Sequence, residues 1–461
     1  MPSTTRRRLL ATLGTAVTAV GAGCGTPGLE PPPNERHPTA LGTPWTPPTG
    51  SWQFPAAGPR QTAQTPTAPP AEPTVAWHRP GDEAVDSDDG QFVGVADGRI
   101  VVSAVLDGRV RLRALALADG TELWRNELPL LERGWFRPGG IADGTVYATD
   151  NAGGLLAIDT ADGRLVWRRS LREQVVDAVP DEYVPEPDDT SEFATVVTPT
   201  PHTLYAATGY GLHGVDADDG TELWRVYLGD DGGSSFRPTG VVVTTDGACV
   251  TGAPGRFASV KRYGSPEDEE IDVEHTDPAM DFVGRPMATD ANNVALLNHG
   301  ATGETGGPSV VGVGFGRKRW SFPGYAVGDG DRSAEFATDG THVFVAGVYD
   351  DGPAVFALRQ QTGQIAWLSR LSPDDWIADG EYRPLWPGVP AVADDTLLVG
   401  YGGPEGGSGV VLALSAADGT VRWRRAVPAG PERLAVVDDT LLAVHGRGGV
   451  TALRADGGDS G

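Results

Sequence analysis

Lysine and cysteine are almost missing from this sequence. Of its 36 basic residues only Lys261 and Lys318 are lysines, and Cys24 and Cys249 are its two cysteines. With Cys24 at the end of the leader, no intrachain disulfide is available and the folded part has to be held by its core. Cys249 lies in Ala248-Cys249-Val250-Thr251, a strand-like run where a thiol serves as a small apolar residue. The eight histidines show no metal-ligand spacing, and neither a nucleophile elbow nor a phosphate-binding glycine loop is present. No catalytic, cofactor-binding or metal-binding residue is therefore assigned, and the sequence reads as a non-enzyme. Long hydrophobic runs are missing too. The apolar stretch 9–23 is too short, and too rich in Ala, Gly and Thr, to span a bilayer.

What the chain has in excess is negative charge: 62 acidic residues against 36 basic ones, a formal net charge of -26. Such a surface repels phosphates, which excludes nucleic acid as a partner. It suits molar salt, where repulsion is screened beyond about 3 Å. Loss of lysine removes long apolar stems from the surface. The composition points to a halophile, and to an archaeon that keeps salt inside the cell.

Residues 1–24 are expected to be a targeting segment outside the fold. Thr5-Arg6-Arg7-Arg8-Leu9-Leu10 resembles a twin-arginine export signal, with Arg6 and Arg7 as its pair. Val20-Gly21-Ala22-Gly23-Cys24 resembles a lipobox, with Gly21 standing where an aliphatic residue is usual. The resemblance implies an exported protein held at the outer face of the cell membrane by lipid on Cys24. Residues 25–73 are rich in Pro, Thr and Ala, and so predict a disordered stalk. At about 3.1 Å per residue it would reach on the order of 100 Å.

Beyond Pro73 one pattern recurs. Ala157-Ile158-Asp159-Thr160-Ala161-Asp162-Gly163-Arg164-Leu165-Val166-Trp167 has strong copies at Ala114 to Trp124, Gly214 to Trp224, Ala357 to Trp367 and Ala413 to Trp423. Each reads as strand, tight turn, strand, with Gly120, Gly163, Gly220, Gly363 and Gly419 supplying the positive φ. A second signature precedes it, as in Asp143-Gly144-Thr145-Val146-Tyr147, so one unit is four short antiparallel strands. Trp77, Trp124, Trp167, Trp224, a degenerate copy ending near Arg262, then Trp320, Trp367 and Trp423 are spaced by roughly 49 residues, the size of a propeller blade. The last unit stops at Asp456-Gly457 without its tryptophan strand, and Thr74-Val75-Ala76-Trp77 is a tryptophan strand with no blade before it. The sequence thus predicts an all-β, eight-bladed β-propeller over 74–457, with a tail at 458–461. It is closed by pairing the N-terminal strand with the C-terminal half-blade; seven blades is the alternative.

The pattern A-x-D-x-x-T/D-G-x-x-x-W resembles the repeat of the pyrroloquinoline-quinone-like propellers, from Trp77 to Gly457. The resemblance implies that the tryptophans wedge between neighbouring blades. The family divides into quinone dehydrogenases and lipid-anchored scaffolds, such as the propeller lipoprotein of the bacterial outer-membrane assembly machinery. The alcohol-oxidising dehydrogenases carry two adjacent cysteines and hold the quinone (PQQ) with calcium; this chain has no adjacent cysteines. The expected function is a non-catalytic surface lipoprotein whose propeller binds another surface or membrane protein, without a cofactor. The alternatives are a PQQ- and calcium-dependent dehydrogenase, and a sugar- or peptide-binding module using the funnel.

Four Arg-Pro pairs, at Arg137, Arg237, Arg285 and Arg383, fall just upstream of innermost strands. They are candidates for an anion-binding funnel, or else blade-start arginines paired with local acids. The acidic stretches 172–192, 228–235, 264–281 and 372–382 read as loops on the faces where partners dock. Segments 86–90 and 329–333 begin like calcium loops without completing the motif.

Overall fold

The computed structural model describes residues 48, 50–52, 64–82 and 91–455, apart from 107–108, 130–135, 150–152, 177–194, 210, 229–236, 245–246, 254–255, 264–269, 276–286, 291–292, 299–308, 315–316, 324–335, 350–351, 373–385 and 403–406. Arg6, Arg7, Cys24 and both calcium-loop candidates lie outside the described residues. Among the described residues no helix is long and apolar enough to cross a membrane.

The described residues form eight sheets, numbered I to VIII in chain order, which build a β-propeller. Sheet I comprises Gln91–Ala96, Arg99–Leu106, Arg109–Ala116 and Glu122–Pro129. Sheet II comprises Arg137–Ala142, Thr145–Thr149, Gly154–Asp159 and Leu165–Ser170, and sheet III begins at Val196 and ends at Tyr227. Sheets IV, V and VI run from Arg237 to His275, Met287 to Pro323 and Phe336 to Arg370. Sheet VII is built on Ala391–Ala393, Thr396–Gly402, Gly409–Ser415 and Val421–Val427, and carries two short added strands. Sheet VIII joins Pro431–Val437, Thr440–His445 and Gly449–Arg454 to the N-terminal strand Thr74–Arg79.

The eleven-residue pattern is a hairpin whose two ends face each other. Ala157 pairs with Trp167, Ala114 with Trp124, Gly214 with Trp224 and Ala413 with Trp423. A small residue opposite the indole is a steric need: a Cβ on Gly214 would sit 2.0 Å from the Trp224 ring. Each tryptophan strand also bulges one residue earlier, where the ladder skips Ala76, Leu123, Val166, Leu223, Arg319, Ala366 and Arg422. A bulge re-aims the next side chain, turning the indole off the sheet and leaving Leu123, Val166 and Leu223 exposed. The turn between the two strands is held by its aspartate, since Asp162 and Asp119 accept from the amides of Arg164 and Thr121 at 3.0 and 2.8 Å.

Five of the freed indoles pack on the turn of the following sheet. A Cβ on Gly120, Gly163, Gly220, Gly363 or Gly419 would approach the ring of Trp77, Trp124, Trp167, Trp320 or Trp367 to between 2.4 and 2.8 Å. The indole N–H donates to the same turn: Trp124 to Thr160 O at 2.8 Å, Trp167 to Ala217 O at 3.0 Å, and Trp367 to Ala416 O at 2.9 Å. Glycine there meets two demands, a positive φ of 66 to 77° and room for an indole. Trp224 is buried against Gly214 and Tyr205, and Gly457, the glycine of the last repeat, lies outside the described residues.

Sheet IV departs from the expectation. The degenerate copy read as ending near Arg262 is its third strand, Arg256–Tyr263, and the fourth is Glu270–His275, inside the stretch expected as an acidic loop. Glu-Ile-Asp-Val-Glu-His alternates charge with only two aliphatics, so its period-two signal is hidden by acid. It pairs without a bulge and carries no tryptophan. The acidic stretch after Arg172 likewise begins as a one-turn helix, Leu171–Val176.

Candidate functional site

The candidate site is the centre of the ring, where the first strand of each sheet lies beside its neighbour. A parallel bridge between Val389 and Arg433 shows that the chain entering sheet VII and the first strand of sheet VIII run the same way; a propeller repeats that arrangement around its axis, so first strands start at one mouth and turn at the other. Neighbouring first strands approach closely: a Cβ on Gly139 would sit 2.4 Å from Val197, and one on Gly388 would sit 2.4 Å from Pro431 O. These two glycines were not legible as functional in the sequence, though each closely follows a proline.

At the mouth where strands start, Arg137 and Arg237 open the first strands of sheets II and IV. Arg137 is half-buried and already engaged by neighbours. Arg285 and Arg383 lie outside the described residues, so two of the four candidates are seen to share this mouth.

The opposite mouth is acidic. Its turns carry the exposed residues Asp97, Asp143, Asp394, Asp395, Asp438 and Asp439, and four of these adopt φ between 45 and 54°. Asp395 is bound through both oxygens by Arg422, at 2.6 and 2.8 Å, which holds its carboxyl down at about 2.

Two described pieces of the stretch expected to be a free stalk, around Trp52 and at Gln64–Thr65, are held at that mouth, which corrects the sequence reading for those residues. Trp52 exchanges both backbone hydrogen bonds with Val95 of sheet I, at 2.9 and 2.6 Å, and is 1 % exposed. Gln64–Thr65 adds in parallel to Val392 and Ala393 of sheet VII, and the Asp394 amide donates to Thr65 O at 3.0 Å. The chain then passes an open groove of about 720 Å³, between Ala68 and Pro70 on one side and Asp438, Asp439 and Arg454 on the other. Composition argued for disorder because it counts aliphatics, and one buried indole with three backbone bonds escapes that count.

Two buried polar clusters lie within the sheets. In sheet III, Thr208 Oγ1 is 2.8 Å from His213 Nε2, His213 Nδ1 is 2.7 Å from Glu222 Oε1, and Arg225 donates to both oxygens of Glu222. Hydroxyl, imidazole and carboxylate stand in the order of a nucleophilic triad, but Thr208 and His213 are 0 % exposed and no substrate reaches them. Burial lowers the His213 pKa although Glu222 opposes it. Burial works to raise Glu222, and the bonds from His213 and Arg225 outweigh it, holding the carboxyl at about 2. In sheet VIII, Thr451 Oγ1 lies between His78 Nδ1 at 2.8 Å and His445 Nε2 at 2.6 Å, and burial brings His445 down to about 4. Neither cluster was legible: His78 and Thr451 are 373 residues apart, and the members of the sheet III cluster, though close in sequence, lie on three different strands whose register is needed to bring them together. Among the described residues no three His, Cys, Asp or Glu side chains come together as a metal site.

The repeat and its packing agree with the comparisons to known proteins. The family described as outer membrane protein assembly factor BamB matches residues 106–279 and 309–460. Among solved structures, BamB from Moraxella catarrhalis is 16% identical, with a TM-score of 0.51 over 85% of this chain and 100% of its own. The quinohemoprotein alcohol dehydrogenase of Comamonas testosteroni is 13% identical, with a TM-score of 0.52 over 88% of this chain and 80% of its own. A europium-containing methanol dehydrogenase is 12% identical, with a TM-score of 0.53 over 87% and 90%. At these identities the likeness shows the fold alone. No curated protein matches the chain in sequence.

Proposed function

The chain belongs to the family described as outer membrane protein assembly factor BamB, and from that premise we propose that it is a non-catalytic surface lipoprotein whose propeller binds another protein. One observation carries the reading: the residues that define the repeat are spent on packing. Five indoles fill five glycine turns and donate to the carbonyls beside them. What remains for function is the two mouths and the loops around them, which suits a binding surface. The twin-arginine pair Arg6 and Arg7 and the lipobox cysteine Cys24 support export and a lipid anchor at the outer face of the membrane. The net charge of -26 supports a salt-loving, archaeal source.

In this reading the ring has eight blades. Support comes from the eight sheets, from the ladder of Thr74–Arg79 on Gly449–Arg454, and from Trp77 seated on sheet I as other tryptophans are seated one sheet on. The dehydrogenase alternative is disfavoured by residue content: Cys24 and Cys249 are 225 positions apart and cannot be an adjacent pair. The anion-binding funnel rests on Arg137 and Arg237 opening strands at one mouth.

The test is photo-crosslinking on intact cells from residues beside the two mouths, such as Arg137 and Asp97. Discrete adducts with one membrane or surface protein are expected. In parallel, pyrroloquinoline quinone and Ca²⁺ are added to the purified protein in molar salt. A spectral change with dye reduction, together with no adduct on cells, would overturn the binding reading.

A further inference from the structure

The N-terminal segment sits in the acidic mouth as a bound peptide would, and its grip is short. It engages the ring through Trp52 and through the two-residue strand Gln64–Thr65, with residues 53–63 between them. Nearly all the bonds at these points are between backbones, so they ask for an extended chain and for no particular sequence. The large side chain that is deeply held is the Trp52 indole, in the core cluster that also contains Phe92, Val95, Val392 and Leu434. Its N–H is buried without an acceptor. A seat that covers an indole yet leaves its only polar atom unpaired is shaped for an aromatic hydrocarbon face, not for tryptophan in particular. Gly50 lets the chain lie close to the mouth, since a Cβ there would come 2.8 Å from the Asp438 carboxylate.

We propose that the inner edges of sheets VII and I, with the Trp52 seat between them, form a docking site for an extended segment of another protein. That segment carries one aromatic side chain, and this chain meets the site with its own Trp52 and Gln64–Thr65. The inference rests on the protein-binding reading above and names the chemistry of the partner. Both edges are competent, because sheet VII already accepts an added two-residue strand and sheet I already exchanges a pair of backbone hydrogen bonds with Trp52. The exposed Asp97, Asp394, Asp395, Asp438 and Asp439 around the seat favour an occupant that is neutral or basic. Because the resident segment is joined to the ring, an incoming segment has to outcompete a tethered neighbour, so affinity in trans is low until the resident segment is displaced.

The experiment uses a fluorescent peptide with the sequence of residues 48–67, read by anisotropy in molar salt. It is titrated into the mature chain and into a variant whose residues 48–67 are replaced by a Gly/Ser linker of equal length. The variant is expected to bind at least tenfold more tightly than the mature chain. A peptide with Trp52→Phe should bind it at least as well as the native peptide, and one with Trp52→Ala at least tenfold more weakly. Cooperative thermal unfolding establishes that the variant is folded, and the mature chain carrying Trp52→Ala provides a second, gentler release of the site. Absence of binding to both folded variants, or equal binding of the Ala and Trp peptides, would overturn the proposal. Cell crosslinks that persist when peptide binding fails leave the protein-binding reading standing and place its surface elsewhere. Peptide binding without any cell crosslink does the reverse.

Discussion

Sheets II and VIII have the same four strands, the same bulge before the tryptophan and the same indole packed on the next turn, but only sheet II is continuous in sequence. In sheet II a turn at 160–164 hands the third strand to the fourth. In sheet VIII the fourth strand comes from the other end of the chain, and its His78 meets Thr451 across 373 residues. With loop entropy growing as 1.5RT ln n, that pairing costs about 3 kcal/mol more than a hairpin. Arginines are concentrated where the hairpin is missing. Arg454 donates to Leu117 O and Ala118 O of sheet I at 2.7 and 2.8 Å, and Arg79 donates to Gly120 O at 2.6 Å. Arg113 donates to Pro80 O at 3.2 Å and to Gly448 O, while Arg111 pairs with Asp82 and Glu127. At the II to III joint Arg169 donates to Asp219 O at 3.0 Å, Gln174 donates to Gly220 O at 3.2 Å and accepts from the Glu222 amide at 2.8 Å, and Tyr147 and Thr149 donate to Ala217 O and Thr195 O at 3.2 and 2.8 Å, so a single arginine takes part. Covalent continuity in one sheet is matched by arginine-to-carbonyl bonds in the other.

Removing the same side chain from each sheet is the strongest challenge to that equivalence. Trp167→Ala and Trp77→Ala should each cost about 3 to 5 kcal/mol, as truncations of a large packed aromatic, measured by urea unfolding in molar salt. They should differ in kind. In Trp167→Ala the strand Leu165–Ser170 stays attached by its turn and keeps its amide protection, whereas Trp77→Ala should release Thr74–Arg79 as a unit, seen by hydrogen exchange. Equal protection of both strands would mean that the arginine bonds alone hold the N-terminal strand.

The turn glycine tests the wedge from its other side. Gly120→Ala, where a new Cβ would lie 2.6 Å from the Trp77 ring, should cost about 2 to 4 kcal/mol. Gly98 in the same sheet has a similar φ of 69° but nothing within 4 Å, so Gly98→Ala should cost about 1 kcal/mol. Comparable losses would show that backbone conformation, and not the seat for the indole, selects glycine at position 120.

How much of this was legible depends on the range of the interaction. The strands, the turns and the pairing of Ala157 with Trp167 are local, and an eleven-residue pattern carries them. Small residues opposite each tryptophan were visible as a recurring Ala or Gly, though their reason, room for an indole, needed the register. The bulge was not legible, because Leu123, Val166 and Leu223 look like ordinary buried strand residues and are exposed. The docked N-terminal segment was hidden for another reason: its composition is that of a disordered chain, and Trp52 is one residue among many prolines. Half of the candidate arginine funnel was placed at one mouth, since Arg137 and Arg237 begin strands. The His78, Thr451 and His445 cluster joins distant positions and left no sequence signal.

That cluster makes sheet VIII sensitive to acid in a window of its own. His445 titrates near 6.5 when unfolded and at about 4 when folded. Between those values the unfolded chain binds more protons, so stability falls as pH drops through 6.5 and levels off below about 4, by up to about 3 kcal/mol. Burial moves His78 and His213 in the same direction. Glu222 loses its contribution only below 4.5, so urea midpoints between pH 7.5 and 5 isolate the histidines. His445→Gln should reduce the slope by up to one proton. An unchanged slope would mean that the unfolding step seen in this window leaves sheet VIII intact.

The smallest effects should come from exposed aliphatics on the outer strands, and they test how near the N-terminal strand is to detaching. Val166 is the skipped residue of its bulge and is 56 % exposed, so Val166→Glu should change stability by no more than about 0.5 kcal/mol. Val75 is 40 % exposed on the strand that lacks a hairpin, and it pairs with Leu453. Val75→Glu removes the same kind of surface contact and should cost a similar amount, because Trp77, Arg79 and Arg454 anchor the strand independently of position 75. A loss beyond about 1 kcal/mol at Val75, with none at Val166, would show that those anchors are marginal. Ring continuity would then rest on the ladder from Thr74 to Arg79 as much as on the arginines.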